Sequence, residues 1–284
     1  MLILPKRDPL IRGGVRHKRI APLGGLGGGF LLTGSLSDAI AAYSWRDLFG
    51  TDPDIIGTRL EGGGFGTTLK PSTKDALLVS ESAGGDLKAR LWIDQTGNGN
   101  SLTCSPEFPV ASSGTPVTYD GKNSLYTPSQ QYMRRDTFTW GLENNTVVAV
   151  FDYTTQTFGA IWRANVATTS SGTHGIQSTN PLRLNYNSHE AIGYGPASAW
   201  QVAVFQHTAS TGAVKLWING NLVVDETGYR VSAMDTGLTL CKRGGTGAEF
   251  TVVNWAELIV FDRLISDSER ATIEANIKTE YGIS

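Results

Sequence analysis

The residue types and spacing most suited to chemistry in this 284-residue chain lie in the stretch "WIDQTGNGNSL". Asp94, Thr96 and Asn98 alternate ahead of Gly99, an order in which oxygen ligands surround Ca²⁺ in a helix-loop-helix calcium site. The twelfth position of such a loop requires a bidentate Glu, and here it is Ser105. The residues before the loop alternate like a strand, so the helix-loop-helix site is excluded.

A chain reversal is the interpretation that we favour for the same stretch. Asp94 would cap the reversal by accepting hydrogen bonds from the following backbone N–H groups, and the two Gly and two Asn would adopt left-handed conformations. An ion site remains the alternative.

Other residues with catalytic or metal-binding chemistry form no recognisable pattern. No G-x-S-x-G sequence is present, and "DGKNS" (120–124) lacks the earlier glycine of a phosphate loop, which favours a turn. The tryptophans are expected mostly in the core. The histidines have no zinc spacing and are expected mostly on the surface: His17, His174, His189 and His207.

Composition narrows the classes of protein. The chain is 40% hydrophobic and 18% charged, with a net charge of −2, which argues against general affinity for nucleic acid. No apolar run approaches the roughly 18 residues of a membrane span. Cys104 and Cys241 make no disulfide framework and favour a reducing place of synthesis, with a single bridge left open.

Residues 1–36 are predicted to be an extended arm. Prolines and glycines disfavour helix, and the first twenty residues carry six basic side chains against one acidic. The segment "IAPLGGLGGGFLLTG" imitates a signal peptide, but its glycines and proline interrupt the apolar part. Because Leu2, Ile3, Leu4, Leu10 and Ile11 would be of little use in a solvated tail, we predict an arm laid on another subunit, with a mobile tail as the alternative.

The rest of the chain, 37–284, is predicted to be one β-rich domain. Asn219–Gly220 between two β-rich runs indicates a two-residue hairpin. Helical spacing predicts a first helix in "SDAIAAYSWRDLF" (37–49), and a capping box at Ser266 and Glu269 predicts a last helix that ends at Gly282. About ten strands are expected, in or near 87–93, 146–153, 158–163, 182–186, 200–205, 213–218, 221–224, 237–241 and 250–261.

Several segments together resemble a known family. "WIDQTGNGNSL", "TYDGKNSLY", "WQVAVFQ", "VKLWINGNLV" and "NWAELIVFDRLISDSERATIEANIKTEYGI" resemble, in that order, the laminin-G-like branch of the concanavalin A-like lectin/glucanase superfamily, as found in bacteriophage tail, fibre and head-decoration proteins. The resemblance covers about residues 87–284. It implies an all-β fold, a two-sheet antiparallel jelly-roll sandwich, here with an extended N-terminal arm and one C-terminal helix.

A second resemblance concerns catalysis. "AAYSWRDLF" followed by "WIDQTGNGNSLT" is similar to the opening of an arabinofuranosidase catalytic domain on the same sandwich, but that family's Arg-rich strand and cysteine-rich patch are missing. Glycosidases need two carboxyls about 5–5.5 or about 6.5–9.5 Å apart. No E-x-D-x-x-E run is present, and Glu257 is the only acid inside a clear strand near the implied cleft. We therefore expect no enzyme and no catalytic residues.

The resemblance and the arm together predict a bacteriophage virion protein, in the capsid decoration, tail or fibre. Assembled in the bacterial cytoplasm, it would dock on other virion proteins through residues 1–36 and bind host surface glycans, without nucleic acid, membrane or cofactor. The family implies a trimer, although no heptads predict a stalk. It also leaves open a calcium ion at the loop rim, near Asp94 and Glu257. The alternative function is a carbohydrate-binding module or arabinofuranosidase-like glycoside hydrolase of a secreted bacterial protein.

Overall fold

The strand Asn144–Tyr153 is buried on both of its faces and organises the fold. In the computed structural model, the described parts of the chain contain twenty strands and one helix. The described residues are 39–44, 57–60, 75–81, 87–92, 94, 96, 98–112, 115–116, 118–119, 122–123, 125–127, 131–140, 144–153, 160–164, 174–177, 182–186, 189–194, 199–228, 236–242 and 250–284.

The elements are numbered in chain order. They are β1 Ala39–Ser44, β2 Gly57–Leu60, β3 Asp75–Glu81, β4 Leu87–Trp92, β5 Leu102–Ser112, β6 Thr115–Pro116, β7 Thr118–Tyr119, β8 Lys122–Asn123, β9 Leu125–Thr127, β10 Tyr132–Arg135, β11 Asn144–Tyr153, β12 Ala160–Ala164, β13 His174–Gln177, β14 Leu182–Tyr186, β15 His189–Tyr194, β16 Gln201–Thr208, β17 Ala213–Ile218, β18 Asn221–Glu226, β19 Leu238–Leu240, β20 Val253–Phe261 and α1 Asp267–Tyr281.

Two large sheets form a sandwich. The smaller has the strand order β1-β20-β11-β16-β17-β18, with β9 also paired to β20, and the larger has the order β15-β14-β13-β12-β19-β10-β5-β4-β3-β2. All of these pairs are antiparallel except β2 with β3. The predicted β-sandwich with a C-terminal helix is thus confirmed. The predicted number of about ten strands is wrong, because short pairs such as β7 with β8 carry too few residues to show a period.

The core between the sheets is built from aromatic side chains. Along β11, Val147, Ala149, Phe151 and Tyr153 face the larger sheet and pack with Trp162, Trp255 and other buried residues. The intervening Val148 and Val150 belong to a second cluster on the opposite face. Successive side chains of a strand point to opposite faces, so a strand buried on both sides has a continuous apolar sequence.

Helix α1 covers the second face of the smaller sheet. Its residues Ile273, Ile277 and Tyr281 cluster with Val202 and Ile259 of that sheet. The predicted capping box is confirmed: the Ser266 hydroxyl accepts from the Glu269 N–H, and the Glu269 side chain accepts from the Ser266 N–H. Gly282 ends the helix in a left-handed conformation (φ 61°), as its position predicts.

The helix also contacts the tip of the hairpin β17–β18. Asn219 and Gly220 have φ angles of 52° and 85°, which confirms the predicted two-residue turn. Lys278 Nζ donates to the Asn219 carbonyl at 3.2 Å. Arg270 pairs with the buried Glu274, whose pKa is raised because burial outweighs that pairing.

The helix predicted at 37–49 is wrong where the structure describes it, because residues 39–44 form strand β1. Ala41 and Tyr43 enter the core between the sheets, whereas Ala39 and Ala42 face the helix side, with a bulge between Ala39 and Ala41. The bulge breaks the two-residue period and gives the apolar residues a spacing that imitates a helix. The predicted arm, residues 1–36, lies outside the described residues.

No helix in the described parts of the chain is long and apolar enough to cross a membrane.

Candidate functional site

Asp94 lies at the corner between β4 and β5 and is 6% exposed. Its Oδ1 accepts three hydrogen bonds: from the Thr96 N–H at 3.0 Å, the Thr96 hydroxyl at 2.8 Å and the Ala42 N–H at 3.1 Å. Its Oδ2 accepts from the Asn100 N–H at 3.1 Å. The prediction that Asp94 caps a reversal is confirmed. The left-handed conformations are confined, among the described residues of the corner, to Gly99 (φ 77°), so that part was wrong for Asn98 and Asn100.

The two asparagines of the corner instead bind strand β1. Asn100 Nδ2 donates to the Ile40 carbonyl at 2.7 Å, and Asn98 Nδ2 donates to the carbonyls of Ala39 and Ile40 at 3.2 and 3.3 Å. Together with Asp94, they satisfy backbone groups on the side of β1 that faces away from its partner β20. The corner therefore takes the place of a neighbouring strand and closes one edge of the smaller sheet.

Tyr43 completes this contact between the two sheets. Its hydroxyl donates to the Asn100 carbonyl at 2.5 Å. Burial raises the pKa of Tyr43 well above its usual value, and the nearby Asp94 carboxylate raises it further, while Arg135 opposes both. The phenol is therefore held neutral, as a donor.

Both carboxylates that were considered as calcium ligands accept hydrogen bonds within the chain. Oδ1 of Asp94 faces three donated hydrogens, which repel a cation. Glu257 is 1% exposed, and its Oε1 accepts from the Tyr281 hydroxyl at 2.9 Å. Within the described residues, no three His, Cys, Asp or Glu side chains are grouped as metal ligands.

A β-bulge explains why Glu257 lies beneath helix α1. Val150 pairs with Glu257 and Phe151 with Trp255, so Ala256 is the extra residue on β20. After the bulge, the Glu257 side chain faces helix α1. From the sequence we had expected it near an open cleft. That placement is wrong, because the helix and Tyr281 cover this face.

A second carboxylate shares this covered face. Asp152 is 2% exposed and pairs across the strands with the fully buried Asn254. Asp152 and Glu257 thus lie on adjacent strands, both closed to solvent. The helix side of the smaller sheet therefore offers no open surface near these two carboxylates.

The outward face of the larger sheet is different. Four neighbouring strands place Arg163, Thr239, Arg134 and Thr103 in one transverse row, through the cross-strand pairs of Arg163 with Thr239, Thr239 with Arg134, and Arg134 with Thr103. The preceding or following residue of each strand forms a buried row on the inward face: Trp162, Leu240, Met133 and Cys104. The alternation of strand side chains therefore produces an apolar inner row and a guanidinium–hydroxyl outer row.

Exposure of the side chains increases along the outer row from Arg163 to Arg134. Arg163 and Thr239 are 3% and 5% exposed, whereas the Arg134 side chain is 47% exposed. Tyr132 lies two residues before Arg134 on the same strand. Its ring packs against the Phe250 ring in a tilted arrangement, with the two centroids 6.2 Å apart. Lys242 Nζ sits over both rings, 4.6 Å from the Tyr132 centroid and 5.4 Å from the Phe250 centroid. We call Tyr132, Arg134, Lys242 and Phe250 the cation–aromatic cluster.

The other residues considered as candidates from the sequence are buried wherever their side chains are described. The prediction that tryptophan is mostly core is confirmed for the described ones, Trp92, Trp140, Trp162, Trp200, Trp217 and Trp255, which are at most 8% exposed. His207 is buried at 1%, contrary to the surface position expected. His17 and the side chains of His174 and His189 lie outside the described residues. Cys104 and Cys241 are free and buried, which answers the open question of a bridge.

The cation–aromatic cluster and the outer row had no signal in the sequence. Tyr132 and Arg134 come from a four-residue strand, and Lys242 and Phe250 meet in an isolated β-bridge. Cys241 has a positive φ of 66°, and both it and Leu240 belong to the inner core cluster, so Lys242 is the next residue to turn outward. The sequence of β19 shows that its side chains alternate between the two faces of the sheet, but it does not show which strands lie beside it.

Comparison with known proteins gives a likeness of fold. No protein-family model and no curated protein matches the chain. An arabinofuranosidase in complex with arabinofuranosyl-α-1,2-xylobiose matches with a TM-score of 0.57 and 15% identity, over 84% of this chain and 62% of that one. A mutant of the GH54 α-L-arabinofuranosidase soaked with 4-nitrophenyl α-L-arabinofuranoside matches with the same TM-score, identity and coverage. The chain thus spans 62% of the length of these enzymes.

This likeness corrects one prediction. We expected no enzyme, but the sandwich that the chain shares over 84% of its length is that of arabinofuranosidases, which are glycoside hydrolases. The expectation rested on a missing acidic run along one strand and on the missing Arg-rich strand and cysteine-rich patch. These missing sequence features do not decide the matter, because the fold of the chain is also found in arabinofuranosidases.

Proposed function

We propose that this chain is a carbohydrate-active protein that binds arabinofuranosyl-substituted polysaccharide and hydrolyses its arabinofuranosidic bonds. The observation that carries the proposal is the match to an arabinofuranosidase at a TM-score of 0.57 over 84% of the chain. At 15% identity the match supports the fold, and the substrate class follows from it as our inference.

The two faces of the sandwich support one location for the sugar. The outer face of the smaller sheet lies beneath helix α1, and its carboxylates Asp152 and Glu257 are buried. The outer face of the larger sheet carries the guanidinium–hydroxyl row and the cation–aromatic cluster. Guanidinium and hydroxyl groups bind sugar hydroxyls, and aromatic rings stack on sugar rings. We therefore propose that the sugar lies on the larger sheet, near Arg134.

The proposal is tested with 4-nitrophenyl α-L-arabinofuranoside and with arabinoxylan. We expect the full chain to release 4-nitrophenolate and to be retarded in gels that contain arabinoxylan. Arg134→Ala should weaken the retardation, whereas Lys215→Ala, a similarly exposed cation of the smaller sheet, should leave it unchanged. Neither release nor retardation with the wild-type chain would refute the proposal. Release without any effect of Arg134→Ala would refute the location alone.

A second proposal concerns where the protein works. The basic, partly apolar composition of residues 1–36 supports an arm that docks on other proteins of a bacteriophage particle, where the domain would act on host surface glycans. Deletion of residues 1–36 should leave a soluble sandwich that no longer enters particles. Unchanged incorporation of the shortened chain would remove the arm from the proposal and leave the carbohydrate activity untouched.

A further inference from the structure

The cation–aromatic cluster contains two cations, and the described carboxylates pair with only one of them. Lys242 contacts two aromatic rings, and no carboxylate among the described residues pairs with it. Arg134 lies 5.8 Å from the centroid of the same Tyr132 ring and forms one open ion pair with Asp136 at 3.4 Å. Both partners of that pair are about half exposed, so water weakens it.

The rings hold these cations in place without cancelling their charge. A ring quadrupole attracts an ammonium group, yet the field of the cation still extends toward solvent. Arg134 and Lys242 both lie within 6 Å of the centroid of the Tyr132 ring, so the two charges lie near the same part of the sheet. The chain as a whole has a net charge of −2, so these two cations do not belong to a generally basic chain.

The neighbouring groups suit a ligand with both carboxylate and hydroxyl groups. Thr103 is exposed and pairs with Arg134 across the strands, so both side chains leave the same face of the sheet. A guanidinium binds a carboxylate with two parallel hydrogen bonds, and an ammonium binds it as a point charge. The hydroxyl of Thr103 both donates to and accepts from sugar hydroxyls.

We propose that the cation–aromatic cluster binds the carboxylate of an acidic polysaccharide, one that contains uronic acid residues. The inference rests on the proposed carbohydrate function and narrows its substrate class to chains that carry uronate as well as neutral sugar. Lys242 and Arg134 take the carboxylate, Thr103 takes a neighbouring hydroxyl, and the exposed parts of Tyr132 and Phe250 contact the sugar ring.

The test compares glucuronoxylan with the same xylan after chemical reduction of its carboxyl groups. Retardation of the full chain in native gels should be clear with glucuronoxylan and about ten-fold weaker with the reduced polymer, since the charged contacts are lost. Added salt should weaken the binding of the acidic polymer. Lys242→Gln and Arg134→Gln should each weaken it severalfold, and Lys215→Gln should not.

Several results would overturn the inference. Equal binding of the acidic and the reduced polymer would remove the carboxylate from recognition, and unchanged binding by both variants would remove the cluster. Equal binding of double-stranded DNA would show nonspecific polyanion attraction. Thermal melting of the variants controls for folding. Release of 4-nitrophenolate with no preference for the acidic polymer would refute this inference but not the proposed function. A preference for the acidic polymer without release of 4-nitrophenolate would refute the proposed hydrolysis alone.

Discussion

Oδ1 of Asp94 accepts a hydrogen bond from the backbone N–H of Ala42 at 3.1 Å, although the two residues are 52 positions apart. Asp94 follows a strand of the larger sheet, and Ala42 lies in the outermost described strand of the smaller one. The contact therefore joins the two layers of the sandwich at their edge. It gives one carboxylate both a local role, in shaping a turn, and a long-range role, in holding two sheets together.

The first prediction concerns this carboxylate. Asp94→Asn should lower the free energy of unfolding by about 2–4 kcal/mol, because hydrogen bonds to a charged acceptor contribute about 1.5–3 kcal/mol each and the new NH₂ group opposes the N–H donors. Urea unfolding monitored by tryptophan fluorescence measures the change. The matched control is Asp136→Asn, whose side chain is 55% exposed and should cost less than about 0.5 kcal/mol. Equal effects of both changes would contradict the structural role of Asp94.

The second prediction is a loss of stability in alkali. The pKa of Tyr43 is raised well above its usual value by burial and by Asp94, and burial and Asp152 raise the pKa of Tyr153 to about 12. In the unfolded chain both phenols ionise near pH 10. Above that pH the unfolded state loses protons that the folded state keeps, so stability is retained below about pH 10 and falls between about pH 10 and 12.

Urea midpoints measured between pH 8 and pH 11.5 test this dependence. Tyr43→Phe should lose about 1 kcal/mol at pH 8, through the missing hydrogen bond to Asn100, but should show a smaller decline toward pH 11.5. An identical decline in the variant and the wild type would show that Tyr43 ionises with equal ease in both states.

The third prediction is an energetic coupling between Glu257 and Tyr281. The hydroxyl of Tyr281 donates to Glu257 Oε1 at 2.9 Å in a buried setting, where an unsatisfied partner is costly. Glu257→Gln and Tyr281→Phe should each destabilise the fold, and the double variant should cost about 1–2 kcal/mol less than the sum of the two. Additive effects in this double-mutant cycle would show that the hydrogen bond adds nothing to helix docking.

The fourth prediction concerns the start of helix α1. Ser266→Ala should cost about 1 kcal/mol, because the helix loses the acceptor for the Glu269 N–H at its N-terminus. The control is Thr279→Ala, an exposed position whose hydroxyl bonds within the helix, and it should change stability by less than about 0.5 kcal/mol. Near-UV circular dichroism of the packed Trp200 and Tyr281 rings shows whether the helix stays docked.

Local chemistry made parts of the fold predictable from the sequence. The strands 182–186 and 213–218, the hairpin at Asn219–Gly220 and the capping box at Ser266 each depend on residues close together in the chain. Strand β1 was missed because the bulge near Ile40 depends on pairing with β20, more than two hundred residues later. Its sequence alone carries no trace of that pairing.

The candidate site illustrates the same limit. The type of Asp94 and its spacing to Asn100 predict a capped turn, but the bonds to Ala42 and Ile40 depend on the docking of two sheets. The outer row joins strands β5, β10, β12 and β19, whose order in the sheet differs from their order in the chain. Arg134 and Lys242 of the cation–aromatic cluster stand more than one hundred positions apart in the sequence, so a shared surface was not predictable.

The free thiols of Cys104 and Cys241 are 5% and 0% exposed, and the Trp255 indole N–H donates to Cys241 Sγ at 3.1 Å. A reagent that alkylates thiols should react only when the core opens, because both sulfur atoms belong to the buried cluster between the sheets. The rate of labelling at these two sulfur atoms therefore reports how often the interior opens, and ligands that clamp the layers together would slow it.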